Sequence, residues 1–296
     1  MARTATRMVR DWLSGLTYDF LALVDEDLSE SVTAQPLGKE LSKAQWFLTS
    51  DELRKWLQSP KSKLLVAQGN TRPELVRSYL SFAAAFVATS FRQSPQCPTL
   101  YYACGFRNEA DFDEDASGPM ALLNTLNAQL VQWVGEHVEG VDLGFLERKK
   151  YGVKARKNLE DAVDLFQTLV ELLGESTLFI VIDGCWRMSG PTADGEAVLD
   201  AILDVLGSKE IKENVVSKVL LTDLMDLLWL DDAGVKRLEI HVPDDVGTMW
   251  GADSMDGSTT RALFRARKKE EELAKSRHEA DGDPFVESST DGEAFV

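Results

Sequence analysis

The chain is poor in cysteine, in histidine and in positive charge, and each shortage closes off a class of function. Its three cysteines, Cys97, Cys104 and Cys185, are widely separated and form no C-x-x-C pair. That pattern supports neither a disulfide framework nor a zinc ribbon, and predicts reduced thiols in a cytoplasmic protein. The three histidines, His137, His241 and His278, stand at no metal-ligand spacing from the cysteines. Lysine and arginine number 32 against 49 aspartates and glutamates, a formal net charge of −17. So acidic a chain repels phosphate backbones and anionic lipid, so neither nucleic acid nor a membrane is an expected partner. The best basic candidate, residues 265–269, runs straight into Glu270, Glu271 and Glu272. No apolar run reaches the length of a membrane-spanning helix, the N-terminus lacks a signal-peptide core, and no G-x-S-x-G motif or internal repeat occurs.

What is present is an ordinary core-forming composition, 44% hydrophobic over 296 residues, enough for one large α/β domain or two small ones. The organising stretch is residues 63–80. The apolar run Leu64, Leu65, Val66, Ala67 ends near Gly69, a polar loop Asn70, Thr71, Arg72, Pro73 follows, and apolar residues then recur at helical spacing from Leu75. That is strand, glycine turn, helix, with Thr71-x-x-Glu74 in the form of a capping box. Further apolar runs predict strands at 99–105, 177–184, 215–222 and 237–242. Helical patterns fall at 119–134, 159–173 and 197–206 between them. The alternation predicts an α/β fold with a mainly parallel, doubly wound sheet of about five strands.

Outside that unit, Met8, Trp12, Leu13, Leu16, Phe20 and Leu23 predict one amphipathic helix over residues 1–30. Residues 29–38 read as a loop, and Ser50 as the N-cap of a helix reaching Leu57. Residues 246–296 carry a charged helical pattern and then an acidic Gly- and Ser-rich stretch that reads as disordered. The expected divisions are 1–40, 41–245 and 246–296.

Ligands of open parallel sheets bind at the carboxyl ends of the strands. Three predicted strand ends therefore matter: Gly69 with the loop after it, Asp183 and Thr222. A glycine loop opening a helix, followed far downstream by an apolar strand ending in aspartate, is the layout of a P-loop NTPase. The bland alternative for Asp183 is a strand-end residue turning with Gly184. Asp111, Asp113 and Asp115 are spaced like calcium ligands, but Ala116 and Leu122 occupy the loop's glycine and glutamate positions, so an acidic surface loop is expected.

The order of these pieces resembles the NACHT-like branch of the STAND NTPases, in particular fungal proteins with a nephrocystin-like N-terminal domain. The resemblance rests on Trp46-Phe47-Leu48 and Trp56-Leu57 ahead of the first strand. It continues through residues 100–105, 118–123, 179–184 and 218–222, and covers about residues 40–245. It implies a nucleotide site built from Gly69, Asn70, Thr71, Arg72, Asp183 and Thr222, with ATP or ADP as ligand and Asp183 on Mg²⁺. The sequence departs from that pattern. Counted from Gly69, the second glycine, lysine and Ser/Thr of G-x-x-x-x-G-K-[ST] fall on Glu74, Leu75 and Val76. Trp186 and Arg187 stand where the family commonly has acids, and Asp223-Leu224 where it usually has Ser-Arg. Arg72 is the loop cation that could replace the lysine. The leading expectation is thus a degenerate, non-hydrolysing binding or regulatory module with a protein partner and no required cofactor. Its alternatives are a divergent NTPase using Arg72 and Asp183, and a structural domain docking through its N-terminal helix.

Overall fold

Continuous apolar runs can be buried on both faces, and here they become the central strands of one parallel sheet. The computed structural model describes residues 2–69, 78–107, 117–188, 192–208, 211, 214–225, 227, 230 and 236–246. The strands are β1 (Lys63–Gln68), β2 (Thr99–Ala103), β3 (Ser176–Asp183), β4 (Val215–Asp223) and β5 (Arg237–His241). They lie in the order β2-β3-β4-β1-β5, with every neighbouring pair parallel. This is the α/β sheet that the apolar runs predict.

The helices are α1 (Ala2–Leu13), α2 (Phe20–Thr33), α3 (Gly38–Thr49), α4 (Asp51–Gln58), α5 (Tyr79–Arg92), α6 (Gly118–His137), α7 (Lys149–Gly152), α8 (Leu159–Glu171) and α9 (Thr192–Gly207). Alternation along each strand divides the core in two. Leu64, Val66, Ile180, Ile182 and Leu221 face α6, α8 and α9. Leu65, Ala67, Phe179, Val181 and Leu220 face α3, α4 and α5. The alanine-rich α5 is buried almost all round, as expected of a helix apolar on every side. Phe91 on α5 stacks on Phe179 at 4.1 Å between ring centroids. Edge strand β2 is closed by a side chain: Gln129 Nε2 donates to Tyr101 O (3.0 Å), and Gln129 Oε1 accepts from Tyr101 N (3.1 Å). The amide imitates one rung of a further strand and blocks edge pairing.

Chain direction fixes where a crevice can open. From β1 the chain crosses to β2 through α5 on one face. It then returns through α6, α8 and α9 on the other, as right-handed crossovers require. The paths diverge beside β1, so the carboxyl ends of β1, β4 and β3 border the switch point.

Several expectations need correction. The single N-terminal helix is two, because Asp19 restarts the chain as an N-cap, its Oδ1 accepting from Ala22 N at 3.1 Å. The loop read at 29–38 is shorter, since α2 runs on to Thr33 with Phe20, Val24, Asp27, Leu28 and Ser31 inward at helical spacing. The sequence reading also missed α3. The cap at Ser50 is as predicted, accepting from Leu53 N. The capping box at Thr71 and Glu74 lies outside the described residues. The helix that is described begins at Tyr79, because Ser78 is extended (φ −118°, ψ 170°) and caps it together with Ser81. The acidic loop at 108–116 and the tail at 247–296 also lie outside the described residues. No helix among the described residues is long and apolar enough to cross a membrane.

Both ends of the chain's packing can be tested. The apolar side of α1 is used within the domain. Trp12 is buried, its Nε1 donates to Tyr151 O at 2.9 Å, and the Arg156 guanidinium donates to Trp12 O at 2.7 Å. Trp12→Ala should cost about 3–5 kcal/mol, read as a lowered urea midpoint. In β4 the fully buried Lys218 donates from Nζ to the carbonyls of Trp56, Ser59 and Lys61, closing the C-terminal end of α4 and the turn into β1. Lys218→Met keeps the volume but leaves three carbonyls, the buried one of Trp56 among them, without their donor. A loss of roughly 3 kcal/mol is expected in the same measurement.

Candidate functional site

Asp183 ends β3 in register with Thr222 on β4 and Ala103 on β2. Strand alternation turns its side chain to the α5 face. There Thr222 Oγ1 donates to Asp183 Oδ1 at 2.6 Å, and the hydroxyl of Ser81, in the first turn of α5, lies near the same carboxyl. Both Asp183 and Thr222 are buried. Burial pushes the Asp183 carboxyl above the usual carboxylate range, while the two hydroxyls and the Arg187 charge pull the other way. The buried Tyr101 hydroxyl, near Ser31 and Asp27 of α2, is pushed up by burial and then by the Asp183 charge.

The next residue on β4, Asp223, points to the opposite face and holds three chain segments together. Its carbonyl accepts from Gly69 N at 2.9 Å. Its Oδ2 accepts from Trp186 N (2.8 Å) and its Oδ1 from Met225 N (2.9 Å). One residue thus ties the ends of β1, β3 and β4. Burial pushes its carboxyl up to about 7, with the Asp183 charge adding, against the backbone N–H groups of Met225, Trp186 and Leu224. Two carboxyls, one on each face, therefore sit side by side and both resist ionisation.

At the end of β1, a Cβ placed on Gly69 would lie 2.6 Å from Leu224 Cδ2 and 2.6 Å from Tyr79 Oη. Only glycine fits beneath these two side chains as they stand. Tyr79 is buried, its hydroxyl finds no partner among the described residues, and its phenol is pushed up by burial and by Glu40 and Asp244. Lys43 Nζ lies 5.1 Å from the Tyr79 ring centroid and 3.3 Å from Glu40 Oε1.

Of the residues singled out in the sequence, Gly69, Asp183 and Thr222 meet at one edge. Asn70, Thr71, Arg72, Glu74, Leu75 and Val76 lie outside the described residues. Trp186 and Arg187 follow Gly184, whose left-handed backbone (φ +68°) starts a tight turn. Trp186 is 47% exposed, and the Arg187 guanidinium sits 5.3 Å from its ring centroid. Sequence reasoning missed Ser81, Tyr79 and the bridging role of Asp223. Ser78-x-x-Ser81 is a weaker cap signature than Thr71-x-x-Glu74, and in the sequence Asp223 reads only as a departure from the Ser-Arg pair. Among the described residues no group of three or more His, Cys, Asp or Glu side chains could hold a metal ion.

A family model described as Nephrocystin 3, N-terminal, matches residues 42–222. The match opens in α3 and closes on Thr222, one residue short of Asp223. No curated protein and no solved structure matches the chain.

The raised carboxyl at Asp223 has a measurable consequence. An aspartate in an unfolded chain loses its proton near pH ~3.9, whereas Asp223 in the folded state keeps it up to about 7. Its contribution to stability is therefore complete below about pH 4 and is lost as pH rises through 7, by roughly 4 kcal/mol. Asp183 shifts the same way, so the comparison with Asp223→Asn isolates one group. Urea midpoints should fall between about pH 4 and pH 8 more steeply in wild type than in the variant. Parallel pH profiles would contradict the environment assigned to Asp223.

Proposed function

The chain belongs to the nephrocystin-3 N-terminal family, and we propose that it serves as a binding or regulatory module that does not hydrolyse nucleotide. The observation that carries this reading is the cover over Gly69. A phosphate cradle needs open backbone N–H groups at the end of β1 and a free helix N-terminus. Here Leu224 and Tyr79 occupy the space above Gly69, and Gly69 N already donates to Asp223 O. The sequence supports the same conclusion, with Glu74, Leu75 and Val76 at the positions of the glycine, lysine and Ser/Thr counted from Gly69.

Magnesium fits the described residues no better. Asp183, the residue that would hold it, is buried with a raised carboxyl that accepts from Thr222. A carboxyl that resists ionisation is a weak ligand for a hard cation. No reaction step is therefore assigned to a nucleotide here. The proposed ligand class is a protein partner. Trp186 and Met225, both exposed, offer apolar contact at this edge, and Leu37 between α2 and α3 is 83% exposed.

A second reading keeps the site as a divergent NTPase using Arg72 and Asp183. What favours it is that two hydroxyls, from Thr222 and Ser81, converge on an aspartate at a strand's carboxyl end. Isothermal titration of the full chain with ATP and with ADP, with and without Mg²⁺, separates the two when paired with a phosphate-release assay. The module reading expects no Mg²⁺-dependent ATP binding and no release of phosphate. Tight Mg²⁺-dependent binding with turnover that disappears in Asp183→Asn would replace it with the second reading.

A further inference from the structure

Two of the three cysteines meet at the same edge of the sheet. Ala103 and Asp183 are register partners at the ends of β2 and β3. Cys104 follows the first directly, and Cys185 follows the second after Gly184. The left-handed backbone of Gly184 turns the chain back toward β2, and a Cβ placed on it would lie 3.6 Å from Gly105 N. Two tight turns, Cys104–Arg107 and Cys185–Arg187, thus lie against each other. Both side chains belong to one buried cluster, and neither is in a disulfide. Cys97 precedes β2 at its other end, roughly 20 Å away by strand rise.

Buried cysteines commonly act as small apolar side chains. This pair differs in position. Both residues sit in short turns at strand ends rather than within strands, and the two turns pack against each other, so a modest backbone adjustment can bring the sulfurs to bonding distance. The turn that carries Cys185 also carries Trp186, whose N–H is held by the Asp223 carboxyl.

We propose that Cys104 and Cys185 are a redox modification site, forming a reversible disulfide on exposure to a peroxide and so locking the turn after β2 to the turn after β3. One thiolate attacks a peroxide oxygen and the O–O bond breaks, giving a sulfenic acid and hydroxide. The second sulfur then attacks the sulfenic sulfur and the S–O bond breaks, releasing a second hydroxide as the S–S bond forms. The two thiol protons convert both hydroxides to water. Two electrons pass from the sulfurs to the peroxide, and a small dithiol returns them. In a reducing compartment such a bond is transient, the form that sensing disulfides take.

The test uses the full native chain and stoichiometric hydrogen peroxide. After quenching, the chain is denatured in iodoacetamide and mapped without reduction. Alkylation should be confined to Cys97, with one cross-linked peptide joining Cys104 to Cys185, and dithiothreitol should restore three alkylated thiols. Hydrogen exchange in residues 104–107 and 185–188 should slow in the oxidised chain. Three alkylated thiols after peroxide, a cross-link through Cys97, or an intermolecular dimer would overturn the site. Formation of the disulfide with unchanged exchange in both turns would overturn the locking. Cys104→Ala and Cys185→Ala should each abolish the cross-link and Cys97→Ala should preserve it. The wild-type map decides the matter on its own if a variant fails to fold.

Discussion

Strand β4 is the member on which the others depend. It lies between β1 and β3, so the parallel ladder that unites the sheet passes through it. Its ends carry opposite polar tasks. At the amino end Lys218 places an ammonium among three carbonyls and closes the approach to β1. At the carboxyl end Thr222 and Asp223 hold the outgoing ends of β3 and β1. A buried charge is tolerated only when its hydrogen-bonding capacity is met, and a buried carboxyl only when it is bonded or protonated. Both conditions are satisfied here by backbone from neighbouring segments, so these polar residues set the spacing of the sheet's surroundings as well as its interior.

The same logic explains the character of the candidate site. A working phosphate site keeps backbone N–H groups free and sets positive charge near them. At this edge the backbone groups of Gly69, Trp186 and Met225 already donate to Asp223. The nearby charge is negative in potential, from two aspartates whose burial holds them toward the neutral form. These three described donors are thus satisfied by Asp223. Trp186 and Met225 are the exposed apolar side chains described there.

Much of the fold was legible because buried parallel strands advertise themselves. Residues 177–184 form a continuous apolar run, and such a run has few other places to go. The N-terminal region was less legible. Met8 to Leu23 keep helical spacing across a real break, because α1 ends at Leu13 and Asp19 caps α2 without disturbing the apolar period. The start of α5 is less legible too. Thr71-x-x-Glu74 is the stronger local signature and lies outside the described residues, while the described helix begins at Tyr79 under Ser78 and Ser81.

The sequence by itself determined the α/β class, the parallel sheet and the convergence of Gly69, Asp183 and Thr222 at one edge. These follow from apolar period and from the handedness of crossovers, which are local and chiral properties of the chain. Only the tertiary structure decided what surrounds those residues. That Leu224 and Tyr79 cover Gly69, that Ser81 reaches Asp183, that Asp223 joins three strand ends and that Cys104 meets Cys185 depend on side chains distant in sequence. Their proximity is set by register and packing, which no local pattern encodes.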